Sequence, residues 1–248
     1  AHLAVLKLGG ILVPTNPLYV ERELQYQLCD SGAETVVILD QLYPRLAAVR
    51  DKTPVRRVIL ARIQDFLPRI LAFLYGLKHK SEFDPAREEG VHEYRHLMGQ
   101  SFPTSAAAEI SPQDTAIFLY TGGTTGVSKG AVLTHRNLVV NACQTRAWLW
   151  DMEDQKEVLL CVLPFFHSYG MTVLMNAAIA SGATQVHMAR FDMEQFLALC
   201  SRHRVTMLVT VPPVILLITQ VPDIQKYDLS SMRLCISGAA PLSEELQQ

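Results

Sequence analysis

A run of glycines, threonines and a lysine near the middle of the chain has the chemistry of an anion-binding loop. Three threonines and three glycines occupy positions 121–126, and Lys129 follows them. Glycine allows the backbone to adopt positive φ angles, so that successive N–H groups can turn toward one centre and form a concave anion cradle. Hydroxyl groups add donors or metal ligands, and a lysine adds a point charge. The ligand that suits the glycine-threonine loop, residues 121–129, is a polyphosphate.

The spacing within the loop excludes two common nucleotide-binding motifs. A Walker loop requires a glycine, four further residues and then Gly-Lys-Ser/Thr. Here Val127 and Ser128 separate Gly126 from Lys129, and the chain has no Gly-Lys pair in this stretch. The dinucleotide fingerprint Gly-x-Gly-x-x-Gly also finds no match here. A glycine-rich hairpin that binds nothing would not need the threonines and the lysine.

Short apolar runs flank the loop and predict the strands that position it. Residues 115–120 are apolar, β-branched and aromatic, which is typical of a buried strand, and 131–134 predict a second short strand. Further strands are predicted over 11–13, 35–39, 55–60, 157–163, 184–188 and 206–210, and helices over 21–30, 41–50, 91–98, 137–150, 171–180, 193–203 and 211–219. This alternation predicts an α/β fold of doubly wound, mostly parallel sheets with flanking helices.

Two further segments carry candidate site residues. His167 lies among aromatic residues in Pro164-Phe-Phe-His-Ser-Tyr-Gly170, directly after the predicted strand 157–163. An alternative for His167 is a hydrogen-bonded histidine at the start of a helix. The segment Ser237-Gly-Ala-Ala240 follows another apolar run, and small residues after a strand let a flat ring approach the backbone.

In this order and at this spacing, the three segments resemble the adenylate-forming superfamily, which includes acyl-CoA synthetases, firefly luciferase and the adenylation domains of peptide synthetases. The loop pattern of that superfamily is Thr-Ser/Gly-Gly-Thr-Thr-Gly-x-Pro-Lys-Gly. This chain has Gly122 at the Ser/Gly position and Ser128 in place of the proline. The resemblance covers essentially the whole chain, and the stretch around 62–80 is similar to an insertion seen in bacterial long-chain fatty-acid CoA ligases.

The resemblance implies an ATP-dependent ligase that joins a long-chain fatty acid to CoA through an acyl-adenylate. Lys129 and the loop N–H groups would hold the β- and γ-phosphates of ATP, the Thr121 hydroxyl would bind Mg²⁺, and His167 would lie between the acyl and thiol sites. The implied catalytic residues are therefore Lys129, Thr121 and His167. The implied nucleotide-binding residues are Thr121, Gly122, Gly123, Thr124, Thr125, Gly126, Lys129, Gly238, Ala239 and Ala240, the last three at the adenine.

The domain organisation is also read from the resemblance. In the superfamily, a Tyr-Gly-x-Thr-Glu segment, a ribose-binding aspartate and a small mobile domain with a catalytic lysine follow this region, and the sequence contains none of them. We therefore expect residues 1–248 to be a partial N-terminal AMP-binding domain, with an insertion at about 62–108 and without the C-terminal mobile domain. We expect this fragment alone to be inactive.

Other functions remain open at this point. One is another carboxylate–CoA ligase, for aryl or medium-chain acids, and another is a truncated, non-catalytic nucleotide-binding fragment. His92-Glu-Tyr-Arg-His96 also matches the His-Glu-x-x-His motif of zinc proteases. However, Phe102 stands where a third histidine of the longer motif would fall, and Arg95 places a cation between the two histidines. We interpret both histidines as solvated.

Composition limits the partners and the compartment. A net charge of −2 gives no sign of a nucleic-acid footprint, and the five scattered cysteines favour a reducing cytoplasm over a disulfide framework. Residues 66–80 are strongly apolar with a basic end, which is compatible with a helix packed on the domain, with the interface of a homodimer, or with peripheral contact with a membrane. The expected small-molecule partners are the fatty acid, ATP and CoA.

Overall fold

The computed structural model describes residues 1–78, 88–101, 108–122, 127–149, 151–188 and 190–247. The chain divides into two compact units. The first comprises Ala1–Ser111 and Thr115–Val132, and the second comprises Pro112–Asp114 and Leu133–Gln248.

The first unit contains a parallel sheet packed against short helices. Among the described residues, its strands β1 (Thr35–Leu39), β2 (Arg57–Ala61) and β3 (Val91–Glu93) lie in the order β1-β2-β3. Its helices are α1 (His2–Lys7), α2 (Glu21–Ser31), α3 (Tyr43–Ala47), α4 (Arg69–Lys78) and α5 (Tyr94–Gly99). The core of this unit is formed where Leu24 and Leu28 of α2 meet Tyr43 and Leu46 of α3 and Val58 of β2. Burial of these side chains fixes α2 to the sheet.

A second pair of strands carries the glycine-threonine loop. Strand β4 (Thr115–Thr121) pairs with β5 (Lys129–Thr134). Ala116 and Ile117 of β4 are buried, whereas Thr121 at its end is exposed. The predicted strand over 11–13 is reduced to a single parallel bridge, in which the Leu12 N–H donates to the Ala116 carbonyl at 2.8 Å.

The second unit is built on another parallel sheet. Among the described residues, its strands β6 (Val158–Cys161), β7 (Thr184–His187), β8 (Met207–Thr210) and β9 (Leu234–Ser237) lie in the order β7-β6-β8-β9. Its helices are α6 (His135–Trp148), α7 (Ala178–Ala180), α8 (Met193–Arg202), α9 (Pro212–Thr219) and α10 (Glu244–Gln247), with a π-helix at Gly170–Ala177. Parallel strands joined through helices confirm the predicted α/β fold class.

A buried carboxylate links three segments of this second unit. Glu157 is only 1% exposed. Its carboxylate accepts hydrogen bonds from the Glu153 N–H at 2.8 Å and the Thr206 hydroxyl at 2.5 Å, and it forms an ion pair with Arg233. Because a buried charge is costly unless it is paired and hydrogen-bonded, these partners make the burial of Glu157 tolerable.

Three predicted helices differ from the observed ones. The helix predicted over 41–50 is a 3₁₀ turn at Asp40–Leu42 followed by α3, and Pro44 lies in the first turn of α3, where its missing N–H costs nothing. The helix predicted over 91–98 begins only at Tyr94, because Val91 instead pairs with Val58 in the sheet. The segment predicted as a helix over 171–180 is mostly a π-helix. Within the described residues, no helix is both long and apolar enough to cross a bilayer.

Candidate active site

The ends of the glycine-threonine loop are set by two paired strands. Thr121 is the last residue of β4 and Lys129 is the first residue of β5, and both side chains are exposed. Among the described residues other than its chain neighbours, no atom lies within 4 Å of the place where a Cβ atom on Gly122 would stand. Among the described residues, Lys129 forms no ion pair, so its ammonium is not already neutralised by one of their carboxylates. The expected phosphate-binding residues Gly123, Thr124, Thr125 and Gly126 lie outside the described residues.

Hydrogen bonds join the two ends of the loop to each other and to α2. The Ser128 hydroxyl donates to the Thr121 carbonyl at 3.0 Å, and the Tyr26 phenol donates to the Ser128 carbonyl at 2.9 Å. A second phenol, that of Tyr120, donates to the Asp30 carboxylate at 2.5 Å. Burial, followed by the interaction with Asp30, raises the pKa of the Tyr120 phenol well above its usual value. Helix α2 is therefore attached to the strand before the loop and to the loop itself.

The ring of Tyr120 also explains one glycine of the motif. A Cβ atom on Gly130 would lie 3.0 Å from Cζ of Tyr120, which is tighter than ordinary packing. A larger residue at this position would push the phenol away from Asp30. The contacts made by Tyr26, Asp30 and Tyr120 were not predicted from the sequence, because the hydrogen-bonded partners lie 102 and 90 positions apart.

In the second unit, the turn that follows β6 orients His167. The His167 N–H donates to the Pro164 carbonyl at 3.2 Å, and the Tyr169 N–H donates to Nδ1 of the His167 ring at 3.2 Å. Because Nδ1 accepts this bond, the neutral imidazole carries its proton on Nε2. Gly170 closes the turn, and a Cβ atom there would lie 2.3 Å from the Pro164 carbonyl oxygen. His167 itself is exposed.

The same turn contacts the small residues after β9. A Cβ atom on Gly238 would lie 2.8 Å from Cζ of Tyr169, so the glycine makes room for the phenol ring. The Tyr169 hydroxyl donates to the Ile236 carbonyl at 3.4 Å, and burial raises the pKa of this phenol. Ala239 has a φ angle of 68°, in the left-handed region that residues with a side chain seldom adopt. Ala239 and Ala240 are both exposed.

Two buried hydroxyls lie at the carboxyl ends of β8 and β9. Thr210 and Ser237 face each other in the parallel register, and neither hydroxyl has a hydrogen-bond partner among the described residues. Ser237 also lines a cavity of about 440 Å³, together with Trp148, Leu149, Asp151, Leu234, Cys235 and Ile236. A second, more apolar groove of about 320 Å³ is lined by Gln144, Thr145, Trp148, Leu149, Val173 and Ile236. In α/β enzymes, this edge of a parallel sheet is where ligands bind.

The His92-Glu-Tyr-Arg-His96 sequence does not adopt the helical geometry that zinc proteases use to bind zinc. His92 lies in β3 and His96 lies in α5, so the two histidines do not share one face of a helix. Within the described ranges, no group of three or more histidine, cysteine, aspartate or glutamate side chains is arranged to hold a metal ion.

The model of the family described as "AMP-binding enzyme" matches residues 1–248, the whole of the chain. The chain belongs to the AMP-binding enzyme family. The long-chain-fatty-acid–CoA ligase of Bacillus subtilis is 35% identical over 100% of this chain and 45% of its own length. The 4-coumarate–CoA ligase 2 of Narcissus pseudonarcissus is 32% identical over 97% of this chain and 40% of its own length.

A solved structure shows the same fold. The crystal structure of ATP-bound MatB from Rhodopseudomonas palustris superposes with a TM-score of 0.75 at 27% identity, covering 99% of this chain and 43% of that protein. The match confirms that the fold resembles that of adenylate-forming enzymes. This chain spans less than half the length of the curated relatives it matches.

Proposed function

We propose that the protein containing this chain is an ATP-dependent carboxylate–CoA ligase whose substrates are long-chain fatty acids. The observation that carries the proposal is the glycine-threonine loop, which begins at the exposed Thr121 and ends at the exposed Lys129. The similarity to a Bacillus long-chain ligase supports the chain length, and the similarity to a plant 4-coumarate ligase supports the same chemistry on an aryl acid.

The reaction has two steps, and the loop serves the first. The fatty-acid carboxylate attacks the α-phosphorus of ATP, the bond to the β-phosphate oxygen breaks, and pyrophosphate leaves as acyl-AMP forms. The Lys129 ammonium and the loop N–H groups would neutralise the charge on the β- and γ-phosphates as it develops, which is the main task in phosphoryl-type transfer. In the second step the CoA sulfur attacks the acyl carbon and AMP leaves.

Magnesium fits the donor chemistry at the start of the loop. Mg²⁺ prefers oxygen ligands, retains several of its waters and binds substrate phosphates together with few protein groups. The Thr121 hydroxyl is an exposed oxygen donor at the end of β4, so it suits the role of a single protein ligand. When bound, the ion would offset the negative charge of the phosphates.

Residues of the second unit would bind the remaining groups. The small, exposed residues Ala239 and Ala240, together with Gly238, would let the adenine lie against the backbone. His167 would lie at the boundary between the acyl and thiol sites. Because its Nδ1 accepts the Tyr169 N–H, only Nε2 is left to contact a substrate there. The apolar groove beside Val173 and Ile236 suits a hydrocarbon chain, because burial of apolar surface would drive its binding.

We also propose that the protein is cytoplasmic and that α4 lets it contact a membrane peripherally. Its side chains Ile70 and Phe73 are 76% and 67% exposed, and Phe66 just before it is 62% exposed. Residues 66–80 contain no acidic residue and two lysines and an arginine, although 79 and 80 lie outside the described residues. Apolar side chains with a basic surround suit an anionic bilayer interface. A homodimer that covers α4 is the alternative.

The decisive test of the loop is Lys129→Ala in the complete gene product. We expect the rate of acyl-AMP formation to fall by about a hundredfold or more, because the variant lacks a preorganised positive charge beside the phosphates. The affinity for the fatty acid should be nearly unchanged. Lys226→Ala is a matched control, because Lys226 is exposed and pairs only with the surface carboxylate of Asp223 among the described residues. Equal losses of adenylation and of fatty-acid binding would contradict the assignment.

The non-catalytic alternative makes a different prediction for residues 1–248 alone. A nucleotide-binding fragment would bind ATP but would not catalyse exchange of pyrophosphate into ATP. Measurable exchange by this fragment would contradict our expectation that it is inactive.

A further inference from the structure

The two ends of the glycine-threonine loop form a closed neck. We define the loop neck as Thr121 and Ser128, which bracket residues 122–127. The Ser128 hydroxyl joins the two by donating to the Thr121 carbonyl at 3.0 Å. The Ser128 carbonyl in turn accepts a hydrogen bond from the Tyr26 phenol at 2.9 Å. Hydrogen bonds therefore join the two residues of the neck to each other and the neck to α2.

Helix α2 is a firm support for this attachment. Leu24 and Leu28, on either side of Tyr26 in the helix, are buried in the core of the first unit. Gln27 is 1% exposed, and its side-chain amide donates to the Pro14 carbonyl at 3.2 Å. Asp30, one turn after Tyr26, accepts the Tyr120 phenol. A helix fixed at these points cannot shift without breaking the core, so Tyr26 transmits that rigidity to Ser128.

We propose that Ser128 and Tyr26 are positioning residues for the phosphates of ATP. The inference rests on the proposed function, because it concerns the loop that would bind those phosphates. Because the Ser128 hydroxyl already holds Thr121 close to the peptide that precedes Lys129, binding of the phosphates does not incur the entropic cost of bringing Thr121 and Lys129 together. Neither residue needs to touch ATP: Ser128 holds the neck closed, and Tyr26 fixes the orientation of the peptide that leads into Lys129.

Ser128 would thus perform by hydrogen bonding what the proline of the superfamily pattern performs covalently. Proline restricts the backbone by fixing φ near −65°. The serine hydroxyl instead restricts it by bonding to Thr121 across the neck. Ser128→Pro should therefore retain the function that Ser128→Ala loses, since proline keeps the carbonyl that accepts the Tyr26 hydrogen bond.

Steady-state kinetics of acyl-AMP formation by the complete gene product test the proposal. We expect Ser128→Ala and Tyr26→Phe each to raise the KM for ATP about fivefold, the effect of one hydrogen bond, while the KM for the fatty acid stays within twofold. Ser128→Pro should return the KM for ATP to within about twofold of the parent. The matched control is Tyr75→Phe, which removes a phenol oxygen that accepts a bond from Gln41 in the same unit.

Hydrogen exchange of the backbone amides separates failure of this inference from failure of the proposed function. In the Ser128→Ala and Tyr26→Phe variants, amides at 121–122 and 127–129 should exchange faster than in the parent, and in Tyr75→Phe they should not. A parent protein that forms no acyl-AMP would overturn the proposed function. Amide hydrogen exchange would then still test whether the hydrogen bonds of Ser128 and Tyr26 hold the loop neck. Unchanged exchange, or equal rises in the KM values for ATP and fatty acid, would overturn the positioning role.

Discussion

Among the described glycines of the candidate site, Gly170 leaves the least room for a side chain, and Gly170→Ala should disturb the turn that holds His167. A Cβ atom at this position would lie 2.3 Å from the Pro164 carbonyl oxygen, 2.9 Å from the Pro164 carbonyl carbon and 3.2 Å from the Leu163 carbonyl oxygen. These are backbone atoms, which cannot rotate away as the end of a flexible side chain can. The Pro164 carbonyl would have to retreat by about 0.7 Å for the first contact to reach 3.0 Å.

The energetic cost follows from the position of this turn in the structure. Gly170 is buried at the start of the π-helix, and the Pro164 carbonyl already accepts the His167 N–H at 3.2 Å. Forcing extra atoms into a packed site typically costs 1–3 kcal/mol, because side chains and backbone must shift. We therefore expect Gly170→Ala to lower the free energy of unfolding of the second unit by about 2 kcal/mol. The displaced His167 should also slow thioester formation more than acyl-AMP formation.

Hydrogen exchange of amides in the sheet of the second unit, followed in increasing urea, measures this loss without assuming that the whole protein unfolds in one step. Gly76→Ala is the control, since Gly76 lies within α4 and a Cβ atom there would meet no described atom within 4 Å. Alanine should be neutral or stabilising in a helix, by up to about 1 kcal/mol. If Gly170→Ala proved as harmless as Gly76→Ala, the geometry described for the His167 turn would be wrong.

Three further outcomes follow from the structure. Glu157→Gln removes the charge that pairs with Arg233, so it should lower the free energy of unfolding of the second unit by about 1–3 kcal/mol in urea unfolding. No change would show that this carboxylate is not buried and hydrogen-bonded as described. Burial raises the pKa of the Cys200 thiol to about 12, so iodoacetamide at pH 8 should label the exposed Cys29 well before Cys200, and equal labelling in the folded protein would contradict that burial. Phe73→Glu should reduce flotation with anionic liposomes several-fold, whereas loss of a concentration-dependent dimer instead would favour the homodimer.

Local patterns in the sequence predicted the elements that are decided locally. The apolar, β-branched run at 35–39 is β1 with the predicted bounds, and the strand before the glycine-threonine loop is found as β4. The predicted helix over 193–203 is α8, which begins where the Asp192 carboxylate accepts the Gln195 N–H at 2.8 Å. In each of these elements, the spacing of the apolar residues and the residues at the ends predict the same type of element that the fold contains.

What the sequence did not predict depends on residues that are distant along the chain. The segment at Val91 becomes a strand because it pairs in parallel with β2, and nothing in the local sequence of this segment predicts that pairing. The bond from Tyr26 to Ser128 spans 102 positions, so no spacing rule could reveal it. The proposed roles of Thr121, Lys129 and His167 come from their motifs, and the activity measurements described above test them.

The most direct test of the central claim is acyl-AMP formation by the complete gene product across a series of carboxylic acids from acetate to palmitate, with 4-coumarate beside them. We predict ATP-dependent adenylate formation with a rate that peaks at long chains. A peak at short or aryl acids would retain the adenylation chemistry but contradict the fatty-acid assignment. Absence of acyl-AMP with every acid would contradict the proposed function itself.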